Sequence, residues 1–339
     1  MNKPSAGEQP NPTFIFETLN SYQRTAALRA GIQLDIFTAI GEGHNTPPQI
    51  ASHCGVTERG ARILCDYLSI VGLLSKVDSR YSLSRDAAVF LDRRSAAYMG
   101  SIAQFLAKDD TVEIFMDLAA TVRDPAASLA GRTAMEPENP MWVEFARSMA
   151  PLMAMPAQAI TQILGAASGE NWKVLDIAAG HGMFGITLAS HNPNAQIYAL
   201  DWPSVLEVAR ENAEKAGVAS RHHLLPGSAF DRDLGSAYDL VLLTNFLHHF
   251  DIPTNVVLLR KVHAALAPHG RVATLDFIPN EDRVTPPSAA AFSMTMLGHT
   301  TGGDAYTFAE YERMFRHAGF SSSEIRPLPG PMSVIISRA

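Results

Sequence analysis

The sequence predicts an α/β protein: a parallel sheet covered by helices on both faces, preceded by an all-helical and winged-helix module. Three observations carry this. Residues 172–202 spell strand, glycine turn, helix, strand and terminal acid. Apolar runs alternate with amphipathic segments from there to residue 337, the signature of a doubly wound sheet. Upstream, helix, turn, helix and hairpin follow one another over residues 47–83. The expected division is 1–95 for the N-terminal module, 96–165 for a helical connector bearing pocket residues, and 166–339 for the ligand-binding domain.

The elements follow in order. Residues 13–41 read as two helices, with Phe14, Leu19, Tyr22 and Ala26 near one face of the first. A short helix runs through Ile50, Thr57 caps a longer one over 58–71, and 73–77 with 80–83 form a hairpin. Such a module often reads DNA, but its second helix offers only Arg59 and Arg62 as basic groups beside Ile63, Leu64 and Leu68. A helix entering a groove needs a polar, basic face, so packing against a partner is the better expectation. Residues 95–165 are rich in methionine and aromatics, among them Phe145 and Met149, and Pro151 and Pro156 should bend or divide the helices there. Beyond the opening unit come a helix over 205–216, strands at 223–226 and 238–243, a helix over 256–266 and a strand over 271–277. A helix over 308–318 and a strand over 332–337 complete the chain.

Composition narrows the function. With 339 residues, 47% hydrophobic and 18% charged, the chain has ample core for two domains. A net charge of −7 argues against general nucleic-acid binding. Two cysteines, Cys54 and Cys65, lack ligand-like spacing and read as buried thiols. The start is polar and proline-rich, read as a loose arm with no signal peptide, and no run approaches membrane-spanning length. A cytoplasmic protein is expected.

The ligand question centres on the glycine turn. Gly180, Gly182 and Gly185 satisfy G-x-G-x-x-G, and Asp201 ends the next strand at a distance that suits a ribose hydroxyl. That pattern allows a dinucleotide. Asp176 inside the leading strand and the small residues Ala178 and Ala179 point instead to a different nucleoside-bearing cofactor. Downstream, Thr244-Asn245-Phe246-Leu247-His248-His249-Phe250-Asp251 leaves the fourth strand at the edge where such sheets hold ligands. Adjacent histidines rarely converge on one ion, so no metal is expected. One of the pair is either a catalytic base or a structural histidine.

Asp176-Ile-Ala178-Ala-Gly180-His-Gly182 resembles motif I of class I S-adenosylmethionine-dependent methyltransferases, with Ala178 in place of the first glycine. Over residues 14–337 the chain resembles the small-molecule O-methyltransferases with an N-terminal winged-helix dimerisation domain, a family of plant phenolic and bacterial natural-product enzymes. The resemblance implies a Rossmann-like methyltransferase sheet, S-adenosylmethionine as cofactor and a homodimer formed through the N-terminal domain. It implies cofactor contacts from Asp176, Ala178, Gly180, Gly182, Asp201, Trp202, Ser228, Ala229, Phe230 and Asn245. Leu247-His248-His249-Phe250 matches the family's L-H-D-W segment, which puts His248 at the base position and His249 where an aspartate is usual. Asp276 stands where an acid orients that base. Ala305, in Gly302-Gly303-Asp304-Ala305-Tyr306-Thr307, replaces a second supporting glutamate. Phe145, Met149, Phe292, Met296 and His299 are the expected acceptor contacts, suiting a flat aromatic or polyketide-like hydroxyl substrate. A nicotinamide oxidoreductase and a non-catalytic cofactor-binding protein are the alternatives.

Overall fold

The computed structural model describes residues 10–130 and 138–339, and the chain divides into two compact units between Lys108 and Asp109. The stretch expected as a connector is thus shared between the units. Most of the residues read as a loose N-terminal arm, 1–9, lie outside the described residues.

In the first unit the segment 13–41 makes three helices where two are expected: α1 (Thr13–Leu19), α2 (Tyr22–Gln33) and α3 (Ile36–Gly41). Asp35 separates the last two at φ +57°, a left-handed conformation that aspartate tolerates better than most residues. Helix α4 (Pro47–Cys54) starts on a capping box between Thr46 and Gln49, and α5 (Glu58–Ile70) starts on Thr57, whose hydroxyl accepts the Gly60 N–H at 3.1 Å. Strands β1 (Leu74–Val77) and β2 (Arg80–Leu83) pair antiparallel to complete the wing. Ile36, Phe37, Ile50, Leu68 and Tyr81 fill the core of this unit. On α5, Arg62 is paired with Asp66 at 3.0 Å, which further weakens a DNA-reading face. Helices α6 (Arg85–Phe90) and α7 (Gly100–Leu106) follow.

The second unit opens with short helices α8 (Asp109–Met116), α9 (Leu118–Arg123) and α10 (Pro125–Ser128), then the long α11 (Met141–Leu164). Of the two outcomes expected at Pro151 and Pro156, division does not occur: both lie inside one continuous helix. Each interior proline costs about 3 kcal/mol. Ala146, Met149, Met153, Ala157, Ile160 and Leu164 are buried along one stripe, and each large side chain so buried contributes about 1.5–3 kcal/mol, enough to hold the helix through both.

The sheet contains β3 (Lys173–Ile177), β4 (Gln196–Asp201), β5 (His222–Pro226), β6 (Tyr238–Thr244), β7 (Leu266–Asp276), β8 (Ser322–Pro327) and β9 (Ser333–Arg338), in spatial order β5-β4-β3-β6-β7-β9-β8. The first five are parallel; β9 runs antiparallel to both β7 and β8. Strand β8, absent from the sequence reading, is a largely exposed edge strand without an apolar run. Helices α12 (Met183–His191) and α13 (Pro203–Lys215) connect the early strands; α14 (Ile252–Ala265), α15 (Pro287–Ala290), α16 (Phe292–His299) and α17 (Phe308–His317) belong to the later half. Along β6, Leu240 and Leu242 join the core shared with α11 and α12, while Val241 and Leu243 join that of α14 and α17. This two-faced burial is why the strand reads as an unbroken apolar run. Strand order reverses between β3 and β6, and a crevice opens beyond their carboxyl ends.

Candidate active site

The turn after β3 is shaped by three left-handed residues, Ala178 (φ +54°), Gly180 (φ +57°) and Gly182 (φ +74°). Ala178 keeps the conformation its glycine counterpart would hold, at a local cost that a β-carbon imposes there. Asp201, ending β4, fastens the turn: one carboxylate oxygen accepts the Gly180 N–H at 2.8 Å and the other the Trp202 N–H at 2.7 Å. Burial still raises its pKa to about 6. Asp176 lies beneath the turn. Its carboxylate accepts the Gly185 N–H at 3.2 Å near the start of α12, and burial followed by the Asp201 charge raises its pKa to about 7.

A cavity of about 320 Å³ lies over this turn, wholly within the second unit and of ligand-binding size. Ala178 and Gly180 form part of it, with Asp201 and Trp202 at one side and Ser228, Ala229 and Phe230 at another. Asn245 completes the set at φ +53°, its buried carbonyl oxygen without a protein partner. Eight of the ten expected cofactor residues therefore line this one cavity. Asp176 and Gly182 do not border it; they shape the turn from below. Lys261 of α14 holds the 228–232 loop by donating to the carbonyls of Ala229 (3.0 Å), Phe230 (2.5 Å) and Arg232 (3.0 Å). His181, also on the wall, is pushed down to about 4 by burial and is neutral near pH 7.

The histidine pair follows β6 in a single tight turn. His248 is buried, and its Nδ1 lies 2.6 Å from Asp276 Oδ1 at the end of β7. Asp276 is fully buried and accepts two further hydrogen bonds, from the Phe277 N–H at 2.8 Å and from the Tyr311 hydroxyl at 2.6 Å. Burial, then the Asp276 charge, holds Tyr311 well above the ordinary phenol range, so it remains a donor. With three donors around it, Asp276 favours the tautomer in which His248 Nδ1–H donates and Nε2 keeps its lone pair. Tyr311, on α17, escaped the sequence reading because it fits a core helix pattern. Ala305 is fully buried, so no carboxylate stands at that position.

His249, not His248, borders the cavity. Its ring meets Trp142 edge-on at 5.4 Å, its Nδ1 lies 3.1 Å from the Phe246 carbonyl, and burial pushes its pKa well below the ordinary imidazole value. Of the expected acceptor contacts, Phe145 reaches the cavity, whereas Met149, Phe292, Met296 and His299 do not. Phe292 instead packs edge-on against His248 at 4.8 Å and stacks on Phe277 at 4.0 Å. Met296 is buried, and His299 lies 5.9 Å from Phe115. Trp142, Phe246 and Phe250 also line the cavity, although the sequence reading names none of them as an individual contact.

Fold and site together define a doubly wound α/β enzyme with a nucleoside-type cavity at the switch point of its sheet. Residues 143–321 match the model of the O-methyltransferase domain and residues 16–93 that of the O-methyltransferase dimerisation domain; the chain belongs to this family. It is an S-adenosylmethionine-dependent O-methyltransferase. A solved structure of a candidate O-methyltransferase from Nostoc punctiforme is 52% identical, with TM-score 0.92, over 98% of this chain and 100% of that one. The 3-hydroxy-5-methyl-1-naphthoate 3-O-methyltransferase of Streptomyces sahachiroi is 28% identical over 96% of this chain and 94% of its own length. Human N-acetylserotonin methyltransferase, solved in complex with S-adenosylmethionine, shares the fold at TM-score 0.84 and 18% identity, over 99% of each chain. The residues present fit the cofactor: a carboxylate suited to a diol, an unpartnered buried acceptor at Asn245, and aromatic walls at Trp202 and Phe230.

Proposed function

We propose that this enzyme methylates a hydroxyl of a small, flat aromatic or polyketide-like acceptor, with His248 as general base. The observation that carries this reading is the buried Tyr311–Asp276–His248 chain, which ends on an imidazole beside Phe292. The naphthoate acceptor of the Streptomyces relative supports the substrate class, as do the aromatic side chains of Trp142, Phe145, Phe246 and Phe292 around the histidines. S-adenosylmethionine supplies an activated methyl group. Asp201 would hold the ribose diol, Asn245 would accept from a cofactor donor, and the residues from Ser228 to Phe230 would lie against the adenine.

The protein's remaining work is alignment and proton removal. Alignment of the acceptor can supply about 7–11 kcal/mol of the barrier. A phenol with a pKa of about 10 holds its proton at neutral pH, and in this reading the free His248 Nε2 lone pair takes it. Asp276 stabilises the imidazolium that results. The exposed apolar side chains of α1 and α2 support a homodimer formed through the first unit.

His249 supplies a second reading, because it borders the cavity and burial keeps it neutral. Single-turnover rates on a phenolic panel distinguish the two. His248→Ala is expected to slow transfer by about 10²–10⁴-fold with cofactor affinity nearly unchanged, while His249→Ala costs much less. A more acidic phenol partly rescues His248→Ala. The reverse ranking would assign the base to His249; equal, modest losses without rescue would leave alignment alone.

A further inference from the structure

We propose that Glu42, His44 and His53 form a binding site for a divalent transition-metal ion in the first unit, separate from the methyl-transfer site. The three side chains come from two elements. Glu42 and His44 flank Gly43 in the turn after α3, and His53 lies in the last turn of α4. One ligand atom from each lies within 4.8 Å of the other two. The His44 and His53 rings stack at 4.2 Å with 28° between their planes, and His53 Nε2 is 3.5 Å from Glu42 Oε2.

Two imidazoles and one carboxylate are a donor set suited to zinc, cobalt or nickel, with water in the fourth position. Bonds of about 2.0–2.2 Å place tetrahedral ligand atoms roughly 3.3 Å apart, so the side chains need close by about 1.5 Å at most. The turn permits this: Gly43 takes φ +97° and a β-carbon there would meet nothing within 4 Å. The competing cation is Arg94, whose guanidinium feels the Glu42 charge. It is already held by Asp92, at 3.0 Å and 2.6 Å, which leaves the Glu42 carboxylate to the histidines. Magnesium and calcium, which select all-oxygen shells, are excluded by the imidazoles. A bound ion would staple the end of α3 to the end of α4.

The test uses the full-length protein stripped with chelator. Zinc binding is followed by calorimetry and cobalt binding by visible absorption, in the wild type and in the double variant His44→Gln, His53→Gln. These side chains are at least partly exposed, and the circular dichroism of the variant is checked to be unchanged. The wild type is expected to bind one more equivalent than the double variant, to show a tetrahedral cobalt spectrum, and to melt at higher temperature with zinc. Glu42→Gln should weaken that equivalent at least about tenfold through loss of an anionic ligand. Identical stoichiometry and affinity in wild type and double variant, or no wild-type binding at millimolar zinc, would overturn the proposal.

Discussion

Asp201 illustrates how much one side chain carries. It fastens the glycine turn with both oxygens while facing the cavity, and burial raises its pKa to about 6. Below that value the protonated acid predominates and is a weaker acceptor for a diol than the carboxylate. Affinity for S-adenosylhomocysteine is therefore expected to rise from pH 5 to pH 7 in calorimetric titrations. The histidines on the cavity do not mimic this: His181 titrates near 4 and His249 lies well below its usual value, so neither gains a proton in most of that window. Asp176, raised to about 7 by burial and the Asp201 charge, titrates in the same range beneath the turn, and the Asp201→Asn variant separates the two contributions. Asp201→Asn should flatten the rise and weaken binding at pH 7 by about 1.5–3 kcal/mol, the worth of a charged hydrogen bond. A wild-type profile flat in this range would remove Asp201 from the cofactor contacts.

At the scale of elements, the contact of α12 with the sheet depends on Gly185. A β-carbon there would lie 2.6 Å from Ile197 Cγ2 and 3.0 Å from Asp176 Oδ2. The third glycine of G-x-G-x-x-G thus serves close packing of helix on strand, whereas Gly180 and Gly182 serve the turn's dihedral angles. Gly185→Ala is expected to destabilise the protein by about 1–3 kcal/mol, the cost of overpacking, despite alanine's higher helix propensity. Urea unfolding measures this, and a variant as stable as the wild type would show that α12 can shift freely. The loop from Ser228 to Arg232 depends on another element in the same way, since its carbonyls converge on Lys261 of α14.

For the whole molecule, the proposed homodimer is argued from surface that the fold of the first unit leaves uncovered. Phe14, Ile15, Phe16, Leu19 and Tyr22 are 46–65% exposed on consecutive turns of α1 and the start of α2. A patch of this kind marks an association site, and it falls at the start of the segment that matches a dimerisation domain. Light scattering should give twice the 36.7 kDa chain mass. Phe16→Asp with Leu19→Asp should return it to the monomer value; a monomeric wild type at micromolar concentration would refute the dimer. Among the described residues, no helix is long and apolar enough to cross a membrane.

Features that depend on neighbours along the chain were legible in the residues alone. Apolar runs and helical periodicity located eight of the nine strands among the described residues and the helices flanking them, though not the short helices α6 to α10, α15 and α16; Thr57 marked a helix start, and the run from Asp176 to Asp201 placed the turn and the acid that fastens it. The sequence also brought eight of the cofactor candidates to one cavity, because each lies at or just beyond the carboxyl end of a strand, where the sheet itself sets position. Features that depend on packing between distant segments were set by the folded chain. It carried α11 through two prolines, since a buried stripe outweighs their local cost. It paired the exposed strand β8 against β9, for which no apolar run gives notice. It set His249 on the cavity and His248 behind it, although the two are adjacent in sequence. It also brought Tyr311 to Asp276 across 35 residues. A phenol in a helical core pattern carries no local mark of the carboxylate it will meet.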